Sequence, residues 1–87
     1  MRIVNINGEI CHIVETLEDV LSYNKEFDFV EEYGDYYYIK FKPESYYDES
    51  MYKVNKNTKE AEGIHIIDYF IECDGKAQRV NPSVLTI

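Results

Sequence analysis

The chain is poor in several residue types that mark specialised classes of protein. It has no tryptophan, two cysteines, four glycines and two prolines. Cys11 and Cys73 stand at neither a metal-binding nor a redox spacing, so we expect no disulfide scaffold, no zinc site and a reducing, cytoplasmic compartment. No segment approaches the ~18 continuous apolar residues of a membrane helix, and no signal-peptide pattern opens the chain, so we expect no membrane association.

The hydrophobic and aromatic content of the chain is that of a protein that folds. Hydrophobic residues occupy 45% and aromatic residues 15% of the 87 positions, far from the aromatic-poor signature of disorder. A chain of this length fits one domain, so we predict a single domain over residues 1–87. Because such a domain buries only roughly 60 to 68% of its chain surface, deep pockets for cofactors are not expected.

The charge of the chain is strongly one-sided. Seventeen acidic residues face nine basic ones, for a formal net charge of −8. Residues 15–49 hold eleven acids and three lysines, whereas the segments before and after are each neutral, so the whole excess lies in one stretch. Such a field repels nucleic acids and anionic membranes and attracts basic surfaces. We therefore expect a protein partner and no direct binding to nucleic acid or membrane.

The beginning of the chain predicts a β-hairpin. Asn7-Gly8 suits a two-residue type I′ turn, which would place Val4 opposite Cys11. A single helix over residues 9–24 is the alternative, because apolar residues there also recur at helical spacing. The hairpin is favoured because residues 10–14 are poor helix formers and a new helix start follows them.

That helix start is a capping box. Thr16 and Asp19 stand at the spacing at which each side chain can satisfy the other's backbone N–H. The pattern predicts a helix from Leu17 to about Tyr23.

Two more hairpins follow, and then a C-terminal region that fits two structures. Residues 66–73 carry a helical apolar face, but Asp74-Gly75 would also suit a hairpin turn, so a short helix is preferred and a hairpin left open. The tail predicts an edge strand over Val84–Ile87. The predicted strand pairs are Phe27–Tyr33 with Tyr36–Lys42 and Met51–Lys56 with Lys59–Ile64.

Together these elements predict an α+β fold. We expect a small antiparallel β-meander of about five to six strands, the N-terminal hairpin included, with one or two short helices packed on one face.

Few residues could carry catalysis. Cys11 and His12 are neighbours, so on a strand they point to opposite faces and cannot share a metal ion. Cys73 lies between Glu72 and Asp74, which should raise its pKa and make it a poor nucleophile.

One weak pattern resembles a metal-dependent nuclease. Asp68, Glu72 and Lys76 follow one another as carboxylates and a lysine do around a catalytic Mg²⁺. A nuclease also needs basic surface to hold phosphates, which this chain lacks. We therefore predict no catalytic residue, no metal ligand and no cofactor.

Tyrosine is concentrated where the acidic charge is. Seven of the nine tyrosines lie in residues 15–49. Strand alternation puts Tyr36 and Tyr38 on one face, where at least two tyrosines should reach water, and Tyr46 and Tyr47 follow in a loop after Pro43. Tyrosine suits interfaces because it offers a large rigid area and a hydroxyl group. The predicted partner-binding residues are Asp28, Glu31, Glu32, Asp35, Tyr36, Tyr38, Tyr46, Tyr47, Asp48 and Glu49.

These residues lead to two hypotheses of function. Same-face strand carboxylates recur every ~6.7 Å, so Asp28 with Glu32, or Glu31 with loop acids, could form an anionic strip that imitates a phosphate backbone. The first hypothesis is a small binding protein or inhibitor that engages a basic, nucleic-acid-binding surface of a partner protein. Phage-encoded anti-defence inhibitors, of the anti-CRISPR or anti-restriction kind, and immunity proteins resemble this chain in composition only. The second is a homodimer built on the tyrosine-rich strands, with acidity serving only solubility.

Overall fold

The chain folds into two antiparallel sheets and two short helices. A computed structural model describes residues 2–86. In chain order the elements are β1 (Arg2–Ile6), β2 (Glu9–Ile13), α1 (Leu17–Leu21), β3 (Phe27–Tyr33), β4 (Tyr36–Phe41), β5 (Ser50–Asn55), β6 (Ala61–His65), α2 (Ile66–Cys73), β7 (Gln78–Arg79) and a 3-10 turn at Pro82–Val84. β1 and β2 form one sheet, and the other strands form a second in the order β6-β5-β4-β3-β7. The predicted α+β class and the meander from β3 to β6 are confirmed.

The N-terminal hairpin has the predicted register. Val4 lies opposite Cys11, and the turn residues Asn7 and Gly8 take φ values of 52° and 82°. Both values are positive, as a type I′ turn requires. The alternative helix over residues 9–24 is not formed. The hairpin does not join the meander, however, but stands as a separate two-stranded sheet.

α1 begins at the predicted capping box. The Thr16 side chain accepts a hydrogen bond from the Asp19 backbone N–H at 3.2 Å, and the Asp19 carboxylate accepts one from the Thr16 N–H at 3.1 Å. Two orphan donors of the helix start are thereby satisfied. The helix ends at Leu21, two residues before the predicted Tyr23.

The third hairpin keeps its predicted register but has a longer turn. Val54 lies opposite Ala61, as a turn centred on Asn57-Thr58 implies. The strands stop at Asn55 and Ala61 because the Asn55 side chain accepts hydrogen bonds from the N–H groups of Asn57 and Thr58. Within the same turn, Lys59 takes a positive φ of 64°.

Of the helix and the hairpin considered for the C-terminal region, the helix is the one that forms. α2 spans Ile66–Cys73 and ends at Asp74 and Gly75, whose φ values are 49° and 72°. β7 follows and pairs with β3. The edge strand predicted for the tail is wrong over residues 84–86, because Asn81 caps a 3-10 turn there, accepting from the Ser83 N–H at 2.9 Å. Ile87 lies outside the described residues.

The two helices lie on opposite faces of the larger sheet. On one face, Leu17 and Val20 of α1 pack with Ile39. On the other, Tyr69 and Cys73 of α2 pack with a second set of buried side chains that includes Tyr38 and Met51. The prediction that the helices share one face is therefore wrong, because strands such as β4 carry apolar side chains on both faces. Across residues 2–86 neither helix is long and apolar enough to cross a membrane.

Candidate partner-binding surface

The sheet tyrosines are largely covered. Tyr38 is only 2% exposed and packs against the Tyr69 ring of α2, with ring centroids 5.6 Å apart. Tyr36 is half-buried, with the Lys53 ammonium 4.2 Å from its ring centroid. The prediction that both tyrosines face water is wrong, because α2 lies over this face. A homodimer that used Tyr38 would require α2 to move away.

The β3 carboxylates do not form a strip. Glu31 faces α2, accepts a hydrogen bond from the Tyr69 hydroxyl and lies 3.5 Å from the Arg79 guanidinium. Glu32 points to the opposite face and pairs with Lys56 at 3.0 Å. Each of these two charges is neutralised by a cation from the C-terminal half of the chain. A continuous anionic row along β3 is therefore absent from the described structure.

The other two acids predicted around this hairpin lie apart from each other. Asp28 is exposed at a β-bulge, where the register of β3 against β4 shifts between Phe27 and Phe29. A bulge breaks the alternation that would align Asp28 with Glu32. Asp35 is exposed in the β3–β4 turn at the far end of the hairpin. The structure does not bring these residues together with the loop after β4.

That loop, residues 42–49, presents the two most exposed aromatic side chains. Tyr46 is 93% and Tyr47 84% exposed, and their rings meet edge to face with centroids 5.2 Å apart. Lys25 anchors the loop through an ion pair with Glu44 at 2.9 Å. The placement of Tyr46 and Tyr47 at the surface is as predicted.

Two carboxylates flank the tyrosine pair. Asp48 accepts hydrogen bonds from the Ser50 hydroxyl at 2.7 Å and the Ser50 N–H at 3.2 Å, and these bonds hold the pKa of Asp48 below its usual value. Glu49 lies 2.6 Å from Nε2 of His65, and the Glu49 carbonyl accepts from the Ile66 N–H at 2.8 Å. Asp48 and Glu49 thus directly follow the exposed tyrosine pair in the chain, each held by a hydrogen bond or an ion pair.

The apolar face that the sequence predicts on α2 is exposed, and its residues are not among the predicted partner-binding residues. Ile67, Phe70 and Ile71 stand at helical spacing on the side of α2 that faces away from the sheet, and each is more than half exposed. Five of the eight helix residues are isoleucine, tyrosine or phenylalanine at positions 66, 67, 69, 70 and 71, more than one buried face can accommodate. That excess is the signal by which the surface could have been found.

The loop and the helix meet along an open cleft of about 610 Å³. Tyr47, Glu49, His65 and Asp68 are among its lining residues, so the cleft leads from the tyrosine pair to the first turn of α2. Phe70 and Ile71 follow one helical turn further on. We call the surface formed by Tyr46, Tyr47, Asp48, Glu49, Ile67, Phe70 and Ile71 the binding face.

The residues considered for catalysis are occupied by structural contacts. Asp68 accepts the His65 N–H at the start of α2, at 3.2 Å, and Glu72 pairs with Lys53. Cys73 is buried, and burial raises the pKa of its thiol, with Glu72 adding to the effect; the predicted direction is confirmed. Among residues 2–86, no group of three or more histidine, cysteine or acidic side chains could hold a metal ion.

Comparison of the chain with protein-family models, curated proteins and solved structures finds no match.

Proposed function

We propose that this protein binds a partner protein whose surface offers apolar pockets inside a basic rim, and that it does so through the binding face. The observation that carries the proposal is that five aromatic and aliphatic side chains are exposed on the loop after β4 and on α2, with Asp48 and Glu49 next to the tyrosine pair. Exposed apolar patches rimmed by polar groups mark interaction sites. Aromatic anchors supply most of the affinity, and charges at the rim steer the approach.

The nature of the partner follows from the charges around this surface. α2 contributes Asp68 and carries no basic residue, and the loop adds Asp48 and Glu49. A complementary surface is therefore rich in lysine or arginine. A nucleic-acid-binding groove is one such surface, so an inhibitory role remains part of the proposal. Two unpaired cysteines fit a reducing cytoplasm as the place of binding.

The experiment is affinity capture from the organism that carries the protein, or from its host, followed by titration of the purified partner. We expect affinity to fall between about 50 mM and about 500 mM salt, because rim charges are screened. Tyr46→Ala with Tyr47→Ala should weaken binding by about 10-fold or more, as loss of central anchors does. Ile71→Ala should weaken it less.

Matched controls separate the surface from general acidity. Ile10 is exposed to the same extent as Ile71, at 71%, but lies on the N-terminal hairpin, so Ile10→Ala should leave affinity unchanged. Likewise Asp48→Asn with Glu49→Gln should slow association at low salt, whereas Glu18→Gln with Glu60→Gln should have little effect. An equal loss of association rate in both double variants would show that only net charge matters and would overturn the proposed surface.

A further inference from the structure

The outer edge of β1 is an open strand edge. β1 is paired only with β2, and the two-residue turn makes Ile6 and Glu9 a hydrogen-bonded pair. By alternation, the N–H and C=O groups of Ile3 and Asn5 then point away from β2. Within residues 2–86 no backbone group of another element bonds to them. The β1 edge therefore offers two donors and two acceptors to another strand.

This edge lacks the features that usually prevent pairing. Protected edges carry lysine, proline, a bulge or a covering segment. β1 and β2 pair without a register shift, and Ile3 and Ile6 are more than half exposed. The β6 edge of the larger sheet is covered at its start, where the Ala61 N–H bonds to the Glu15 carbonyl at 2.8 Å. The two hairpin edges therefore stay open, and β1 is the one of the two that does not line the cleft which His12 of β2 forms with Gly63 of β6.

We propose that two copies of this chain pair through β1, antiparallel and across a two-fold axis at Val4. Ile3 of one copy then lies opposite Asn5 of the other, and the same pair forms on the other side of the axis. The edge is thus complementary to itself, which a two-fold interface requires. The product is a four-stranded sheet, which is more stable in water than an isolated two-stranded hairpin.

Charge favours a second copy at this place. Residues 1–14 contain only Arg2 and Glu9 and are neutral, whereas residues 15–49 carry the whole net charge. Two copies meeting at β1 would hold their Arg2 residues four positions apart along the sheet, about 13 Å. Two copies that met through residues 15–49 would instead bring acidic surfaces together. The hairpin is therefore a region where two copies of this acidic chain can approach without charge repulsion.

The test is the molecular mass in solution by sedimentation equilibrium. We expect a dimer that tightens as salt rises, because salt screens the repulsion between two acidic copies. Ile3→Pro removes a donor that points away from β2 and leaves the hairpin's own ladder intact. Losing one hydrogen bond per copy should weaken dimerisation about 30-fold. Ile10→Pro is the matched control, since its N–H points outward from β2, and it should leave the dimer intact.

A cross-link checks the register even if a proline variant loses structure. Val4 and its symmetry mate form a non-hydrogen-bonded pair, whose Cα atoms lie about 4.5 Å apart, close enough for a disulfide. Val4→Cys in a Cys11→Ser background should oxidise to a covalent dimer, and Ile6→Cys in that background should not. A monomer at all concentrations, or a dimer broken by Ile10→Pro alone, would overturn the proposal. The binding face takes no part, so failure of one proposal leaves the other standing.

Discussion

The larger sheet and the N-terminal hairpin are built from similar sequence but reach different degrees of burial. Both have β-branched or aromatic strands joined at short turns. In the larger sheet, α1 covers one face and α2 the other, and Val30, Ile39 and Val54 are fully buried. In the hairpin, Ile3 and Ile10 remain exposed. A strand pattern therefore predicts pairing, while burial depends on whether another element packs over the strand.

The strongest test of this difference is a pair of isoleucine truncations. Ile39→Ala, in the buried core, should lower the free energy of unfolding by about 2 to 5 kcal/mol, since it removes packed atoms and leaves a cavity. Ile10→Ala should change it by less than about 0.5 kcal/mol, because the side chain is mostly in water. Urea unfolding followed by circular dichroism measures both. Equal losses would mean that the hairpin is packed as tightly as the sheet.

The two cysteines report on the same regions separately. Cys73 is 1% exposed, and burial raises the pKa of its thiol, whereas Cys11 is half-buried on the hairpin. Cys73 should react with a thiol reagent on the order of 100-fold more slowly than Cys11, because the helix must open first. The single variants Cys11→Ser and Cys73→Ser assign the two rates. Similar reaction rates for the two thiols would show that α2 packs loosely against the sheet.

Thr16 joins the two regions and should have a smaller effect. It caps α1 and also bridges to Glu60 at the β6 edge. Thr16→Ala should lower the free energy of unfolding by about 1 kcal/mol, the usual cost of a lost N-cap. Thr86→Ala, at an exposed position, is the control. A change equal to that of the control would mean that the capping box does not stabilise α1.

The smallest expected effect concerns the binding-face loop. The Ser50 hydroxyl helps to hold the pKa of Asp48 down, so Ser50→Ala should raise it toward the ordinary value. A depressed pKa adds stability above the unfolded-state pKa of about 3.9, and that stability is lost as pH falls through the folded-state value. Carboxyl NMR titration measures the shift. Ser45→Ala should leave it unchanged, and an unchanged pKa in Ser50→Ala would contradict the assigned hydrogen bond.

Local signals predicted most of the fold. The turn at Asn7-Gly8, the capping box at Thr16 and the apolar spacing of residues 66–73 each act within a few residues, so they are visible in the sequence. They gave the hairpins, their register and both helices. The tail was mispredicted because the Asn81 cap competes with strand formation there.

The candidate site could be predicted only in part. Tyr46 and Tyr47 were found because a polar loop after a proline is exposed whatever packs elsewhere. Tyr38 was misplaced because alternation divides a strand into two faces but does not say which face a helix will cover. The partner of Glu31, the Tyr69 hydroxyl, lies far along the chain and gives no local signal.

The pairing of β7 with β3 bears on the order in which the molecule folds. Hairpins β3–β4, β4–β5 and β5–β6 join neighbouring segments, whereas β7 must return from the far end of the chain to reach Glu31 and Glu32. Closing that long loop costs more entropy than closing a hairpin, so β7 should dock after the rate-limiting step. Val80→Ala, which loosens this docking, should then speed unfolding in stopped-flow experiments and leave the folding rate nearly unchanged.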